Sequence, residues 1–187
     1  MILRPVTIYE RDAIRGFYLA LSVEDRRKRF CCAISDETVV KYVEGLNFAQ
    51  GTVLAAFDAR ARIIGLCELA LGKGESEMAF AVRADMRGQR IGTTLMERLL
   101  ARARMCGVHK VFVLFSSENT PMRRLAARAG MHIDTESGES YASRELEPAT
   151  ALDLGPWLVG ETAAHSSYFN TLIISGALGA LSKAARA

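Results

Sequence analysis

The sequence predicts a mixed α/β protein, in which one sheet of antiparallel and parallel strands is flanked by helices. Two observations carry this prediction. Three β-rich runs follow one another between residues 52 and 82, separated by short polar or glycine-containing turns. A segment with apolar residues at helical spacing, 93–105, then alternates with an apolar run, 110–115, as in a strand–helix–strand unit.

The amino-terminal part is expected to hold one strand and two helices. Residues 2–6 form an apolar, β-branched run that a polar segment stops, which is typical of a short strand. A helix is expected from Asp12 as its N-cap, and a second helix from Ser35, because apolar residues recur at three- and four-residue spacing after each.

The middle of the chain is expected to be an antiparallel meander. Its strands are predicted at 52–57, 63–71 and 77–82, because each run is rich in β-branched or apolar residues and ends at a turn. The charged, glycine-containing loop 83–92 then leads into a long amphipathic helix, 93–105.

The last third predicts a buried strand, a helix and a hairpin. The uninterrupted apolar run 110–115 is typical of a central, parallel strand that is buried on both faces. Pro121 suits the first turn of a helix that Gly130 ends. Residues 131–134 and 141–146 are expected to pair as the closing hairpin.

Composition indicates a folded domain and excludes several classes of protein. The chain has 187 residues, 50% of them hydrophobic, which is unlike a disordered protein. Its net charge of +3 is too small to indicate a nucleic-acid partner, and its aromatic residues lie at apolar periodic positions. No signal peptide opens the sequence, so a cytoplasmic location is expected. The apolar stretch 172–181 is too short to span a membrane.

The four cysteines predict neither a disulfide framework nor a metal site. Cys31, Cys32, Cys67 and Cys106 have no CxxC spacing, and the three histidines do not complete a zinc pattern. They are expected to be reduced and mostly buried, and no metal is expected.

The most informative segment is 77–92, EMAFAVRADMRGQRIG, a strand and a glycine loop that open a long helix. Unpaired N–H groups and the positive dipole end at such a helix start attract phosphate, and small residues let the backbone approach it. Arg90 is expected to keep ordinary helical angles, because a positive φ at a non-glycine residue costs ~1–2 kcal/mol. The six loop residues are Arg87, Gly88, Gln89, Arg90, Ile91 and Gly92.

This loop resembles the cofactor signature of the GNAT superfamily of N-acetyltransferases, with Arg90 where a glycine is usual. Segment 117–122 resembles the superfamily's second cofactor segment, and 21–30 is similar to its bacterial protein acetyltransferase branch. The resemblance implies a GNAT-like fold, acetyl-CoA as co-substrate and no metal. The implied cofactor-binding residues are Phe80, Ala81, Val82, the six loop residues, Thr93, Asn119 and Met122.

The resemblance also implies a chemistry, in which a primary amine attacks the thioester. Because a lysine-type amine is almost fully protonated at neutral pH, a general base is needed, and Glu77 is the first candidate. Glu68 is the alternative base, and a surface role for Glu77 is the structural alternative. Ala126 stands where many relatives carry a tyrosine that protonates the leaving thiolate.

The acceptor is expected to be a protein lysine or a small-molecule amine, with neither nucleic acid nor membrane as partner. A non-catalytic module of the same fold that binds acyl-CoA and regulates a partner is the rival interpretation. The catalytic domain is expected to span 1–147. Residues 148–187 are expected to form a helical extension, packed on the domain or at a homodimer interface.

Overall fold

A computed structural model describes residues 1–49 and 51–149, which form one seven-stranded sheet with helices on both faces. The spatial strand order is β1-β2-β3-β4-β5-β7-β6. The elements, in chain order, are β1 Ile2–Pro5, α1 Arg11–Leu19, α2 Val23–Phe30, α3 Asp36–Glu44, β2 Gly51–Phe57, β3 Ile63–Ala70, β4 Ser76–Val82, α4 Ile91–Met105, β5 Lys110–Ser116, α5 Thr120–Arg128, β6 His132–Glu136 and β7 Glu139–Glu145.

The sheet is antiparallel except where β4 meets β5, which confirms the predicted mixed sheet. The parallel pairing covers only Ser76 with Val111 and Glu77 with Phe112. Beyond Glu77 the two strands diverge, while β4 stays paired with β3 as far as Val82. The divergence opens a wedge in the centre of the sheet, bordered by the unpaired edge of β4.

Side chains at one end of the wedge hold the two strands together. The Tyr141 hydroxyl donates to Glu75 Oε2 at 2.6 Å, and Lys110 Nζ lies 3.1 Å from the same oxygen. These contacts join the start of β4 to β5 and β7. Because they occur only at this end, the strands are free to separate at the other.

The two faces of the sheet are covered by different helices. α4 and α5 pack on one face through a core that includes Leu95, Leu99 and Met78. α1 and α3 pack on the other through Ile14, Tyr18 and Val43. Alternate residues of each strand therefore serve two separate cores, which explains why β2 and β3 are buried along almost their whole length.

Several boundaries differ from the sequence-based expectation. The sequence patterns did not predict α2, although Ser22 caps this helix by accepting a hydrogen bond from the Asp25 amide. α1 begins at Arg11, so Asp12 lies in its first turn rather than at its N-cap. α4 begins at Ile91, two residues early. Leu114 of β5 is exposed, so the expected burial of this strand on both faces is wrong, because the wedge uncovers one of them.

The expectation of mostly buried cysteines is also wrong. All four thiols are free, but only Cys67 is buried, whereas Cys31, Cys32 and Cys106 are exposed. Within residues 1–49 and 51–149, no helix is long and apolar enough to cross a membrane, and no group of three metal-ligating side chains is found. The predicted carboxy-terminal extension lies outside the described residues, apart from its first two positions.

Candidate active site

A first cavity of about 460 Å³ lies where the wedge meets the start of α4. Its walls come from β4, the loop before α4, the first turns of α4 and α5, and α2. Of the residues predicted to bind the cofactor, Gln89 does not line it. Those that line it are Phe80, Ala81, Val82, Arg87, Gly88, Arg90, Ile91, Gly92, Thr93, Asn119 and Met122.

The first cavity is strongly cationic. One carboxylate, Asp25, faces six basic side chains in its lining, which are Lys28, Arg29, Arg87, Arg90, Arg124 and Arg128. The 15-residue helix α4 starts at this cavity without a side-chain cap and without an acidic residue in its first turn. Its first N–H groups are therefore free to bind an anion, and the helix dipole strengthens that binding. A ligand with several phosphate groups fits this lining.

The start of α5 at the same cavity differs from the start of α4, because a side chain, that of Asn119, caps it. The side-chain oxygen of Asn119 accepts a hydrogen bond from the Met122 amide at 3.2 Å, so the start of α5 is already capped. Asn119 is 9% exposed. Its position is therefore fixed by the cap, which leaves its amide nitrogen available to a ligand.

The backbone at Arg90 contradicts the expected ordinary helical angles. Arg90 has φ 60° and ψ 10°, in the left-handed region, and Gly88 just before it has φ 78°. Because Gly88 and Arg90 both have left-handed backbone angles, the chain turns sharply before it enters α4. The usual glycine at this position of the motif avoids the strain that Arg90 carries, about 1–2 kcal/mol. In return, Arg90 adds a cation to the first cavity.

We expect Arg90→Gly to raise the free energy of unfolding by about 0.5–1 kcal/mol over Arg90→Ala. The relieved strain outweighs the greater chain entropy of glycine in the unfolded state. Arg90→Ala is the matched control, since it removes the same charge and keeps the strained Cβ. Denaturant unfolding without ligand measures the difference, and equal stability of the two variants would contradict the strain.

The predicted phosphate ligand Arg87 has an internal partner. Its guanidinium lies 2.5 Å from the carboxylate of Asp25, which is 9% exposed and sits in the first turn of α2. Arg87 itself is 43% exposed. The pair connects the loop before α4 to α2, across the first cavity.

A second cavity of about 700 Å³ adjoins the first on the α1–α3 side of the sheet. Glu77 lines it and is exposed. Within the described residues, no basic side chain lies within ion-pair distance of the Glu77 carboxylate. The residues that line both cavities are Lys28, Arg29, Phe80, Asn119 and Met122. The two cavities therefore join across the wedge.

Glu68, the alternative base, also lines the second cavity, where it is buried and hydrogen-bonded to other side chains. It is ion-paired with Arg29 at 2.9 Å and accepts hydrogen bonds from the hydroxyls of Tyr18 and Tyr42. Burial raises the pKa of both tyrosines, and the neighbouring carboxylate raises it further, so both hydroxyls keep their protons. Three contacts therefore occupy the buried Glu68 carboxylate, which holds Tyr18, Tyr42 and Arg29 in place.

We expect Tyr42→Phe to lower the free energy of unfolding by about 1 kcal/mol. The substitution removes hydrogen bonds to Glu68 and Arg29 while keeping the ring that packs against Tyr18 and Phe30. Tyr9→Phe is the control, because Tyr9 is 94% exposed and its hydroxyl faces water. Thermal unfolding measures both, and equal stabilities would show that the network adds nothing.

Sequence reasoning missed the contribution of α2. The basic residues of this helix differ in position, since Arg29 lies between the cavities and Arg26 pairs with Asp36 outside them. The signal available was the Ser22 cap, which fixes the helical phase. Ala126 is fully buried and lines neither cavity.

The sequence and the fold agree with one group of known proteins. Residues 7–131 match the profile of the acetyltransferase (GNAT) family, about two thirds of the chain. The chain belongs to the GNAT family of acetyltransferases. The two cavities therefore lie in a GNAT fold, on either side of the point where β4 and β5 diverge.

Solved GNAT structures show the same architecture. The GNAT domain of the S. lividans protein PAT is 23% identical, with a TM-score of 0.66 over 77% of this chain and 89% of that one. A ribosomal-protein-alanine N-acetyltransferase from Brucella melitensis is 17% identical, with a TM-score of 0.60 over 78% and 100%. A putative acetyltransferase from Salmonella typhimurium, solved with its cofactor acetyl-CoA, is 16% identical, with a TM-score of 0.61 over 81% and 96%.

Proposed function

We propose that this GNAT protein transfers an acetyl group from acetyl-CoA to a primary amine. One observation carries the proposal: a cationic cavity at an uncapped helix start joins, across the diverging strands, a second cavity that holds an unpaired carboxylate. The first arrangement suits a phosphorylated thioester, and the second suits an amine. The Salmonella structure, with its bound acetyl-CoA, supports the choice of acyl donor.

The first cavity binds the donor. Arg87, Arg90 and the N–H groups at the start of α4 hold the pyrophosphate, with Gly88 and Gly92 allowing close approach. Asn119 and Met122 border the path toward the second cavity. Arg124 and Arg128, on α5, add positive charge for the remaining phosphate.

The acetyl group then lies near Phe80, where the two cavities meet. The edge of β4 beyond Glu77 is unpaired on its β5 side, and its free N–H groups near Ala81 and Val82 polarise the thioester carbonyl. Glu77 removes a proton from the amine, directly or through water, and the neutral amine attacks. The thiolate leaves without an acid, because a thiol with a reference pKa of about 8.5 is a good leaving group. The buried Ala126 is consistent with that.

A thiol-release assay tests the proposal. Purified protein is incubated with acetyl-CoA and a panel of primary amines, and free CoA is measured alongside calorimetry of acetyl-CoA binding. Amine-dependent release of CoA supports the transferase. Tight binding of acetyl-CoA with no release for any amine would instead establish the non-catalytic acyl-CoA-binding module.

A further inference from the structure

The sheet face that carries Glu77 continues past the second cavity across β5, β7 and β6. Side chains alternate along each strand, and those that pack on α4 and α5 include Val113, Ala142 and Ile133. Their neighbours point to the opposite side, where Leu114, Tyr141 and Asp134 lie next to one another in register. The open face, as we name it, comprises Phe112, Leu114, Tyr141, Asp134, Glu136 and Glu139. Lys110, on the same side of β5, lies at its edge and is paired with Glu75.

The open face has an apolar strip that starts inside the second cavity. Leu114 lines that cavity and is 45% exposed. Phe112 lies beside Glu77 in the parallel pair and stacks on Tyr141 with ring centroids 5.4 Å apart. The strip therefore leads from the carboxylate in the second cavity outward across the sheet.

Carboxylates border this strip. In the part of the chain that the structure describes, Asp134 pairs only with His132, and neither Glu136 nor Glu139 has a basic side chain within ion-pair distance. Glu139 lies opposite Ser116 in register, two positions along β5 from Leu114, which lines the second cavity. Glu139 therefore lies beside the strip but outside the cavity.

We propose that the open face docks a polypeptide in which the acceptor lysine is flanked by basic residues. The inference rests on the proposed function and narrows its acceptor. A small amine would fill the second cavity alone and leave the strip uncovered. A peptide chain would place apolar atoms on Phe112, Leu114 and Tyr141, and cationic side chains against Glu136 and Glu139.

The strand spacing sets the reach of this recognition. Two steps of about 4.8 Å separate β5 from β6, and an extended peptide advances about 3.3 Å per residue. The carboxylates of the open face therefore meet side chains within about three positions of the acceptor lysine. Basic residues at those positions are expected to raise kcat/KM, whereas acidic ones are expected to lower it.

Three acceptors test the inference with the full chain. Two nine-residue peptides, acetylated at their N-termini, carry one central lysine and either two arginines or two glutamates within three positions. The third acceptor is n-butylamine. We expect wild-type kcat/KM to be about tenfold higher for the arginine peptide than for the glutamate peptide, with the difference shrinking in high salt.

A charge reversal at Glu139 tests whether the preference for the arginine peptide arises on the open face. Glu139→Lys is expected to lower kcat/KM for the arginine peptide about fivefold and to leave n-butylamine within twofold. Glu97→Lys is the matched control. Glu97 is exposed on α4, on the opposite side of the sheet, and its substitution changes the net charge by the same amount. It is expected to change neither acceptor's rate.

Each outcome decides a different point. If no amine is acetylated, the proposed function fails and the inference fails with it. If n-butylamine is acetylated but the peptides show no charge preference, the inference alone is overturned. Equal effects of Glu139→Lys and Glu97→Lys on the arginine peptide would also overturn it, because the charge preference would then not arise on the open face.

Discussion

Glu77→Gln is expected to lower kcat by ~10²–10⁴ at neutral pH, with acetyl-CoA affinity nearly unchanged. Glutamine keeps the shape of the side chain but cannot accept the amine proton. Glu77 lines the second cavity and not the first, so donor binding does not depend on it.

The activity of Glu77→Gln is expected to recover partly as the pH approaches the reference pKa of the amine, about 10.4, because the acceptor then loses its proton without help. Steady-state kinetics with n-butylamine across pH measures this, with calorimetry for acetyl-CoA binding. Glu97→Gln is the control, as an exposed carboxylate on α4 that lines neither cavity. A Glu77→Gln enzyme with wild-type kcat at neutral pH would exclude Glu77 as the base and leave Glu68 or a water chain.

Gly92→Asp is expected to weaken acetyl-CoA binding at least ~100-fold. The new carboxylate would stand in the first turn of α4, among the N–H groups that we assign to the pyrophosphate, and like charges placed together cost several kcal/mol. A Cβ at this position would meet only the side chains of Leu125 at 3.6 Å and Val82 at 4.0 Å. An acidic residue in the first helical turn also favours the helix, so the fold is expected to remain intact.

Gly92→Ala separates charge from size in this experiment. Alanine adds the same Cβ, for which there is room, and is expected to bind acetyl-CoA within about threefold of wild type. Calorimetry gives the affinities and thermal unfolding confirms the fold. If Gly92→Asp binds as tightly as Gly92→Ala, the pyrophosphate does not lie at the start of α4.

The order of the elements followed from local patterns in the sequence. The meander, the long helix α4, the apolar strand β5 and the closing hairpin each depend on periodicity and turn residues within a few positions. The parallel pairing of β4 with β5 was predictable too, since a helix connects them and a crossover of that kind favours parallel strands. Segment 87–92 was identified for the same reason, because its signal is contiguous.

Only the tertiary structure decided how distant residues combine at the site. Arg29 and Glu68 are 39 positions apart, and no local pattern shows that they form a buried ion pair. The same holds for Asp25 and Arg87, and for the exposure of Leu114, which depends on how far β4 and β5 diverge.

The backbone angles of Arg90 are a case in which the local sequence predicts the wrong conformation. An arginine in a helix start is expected to adopt helical angles, yet the chain must turn there to bring α4 onto β3, and the packing of that helix imposes a positive φ. The sequence thus determined which segments form the sheet and which loop opens α4. The structure determined which charges are neutralised, which remain free and where strain is carried, because these depend on contacts between segments far apart in the chain.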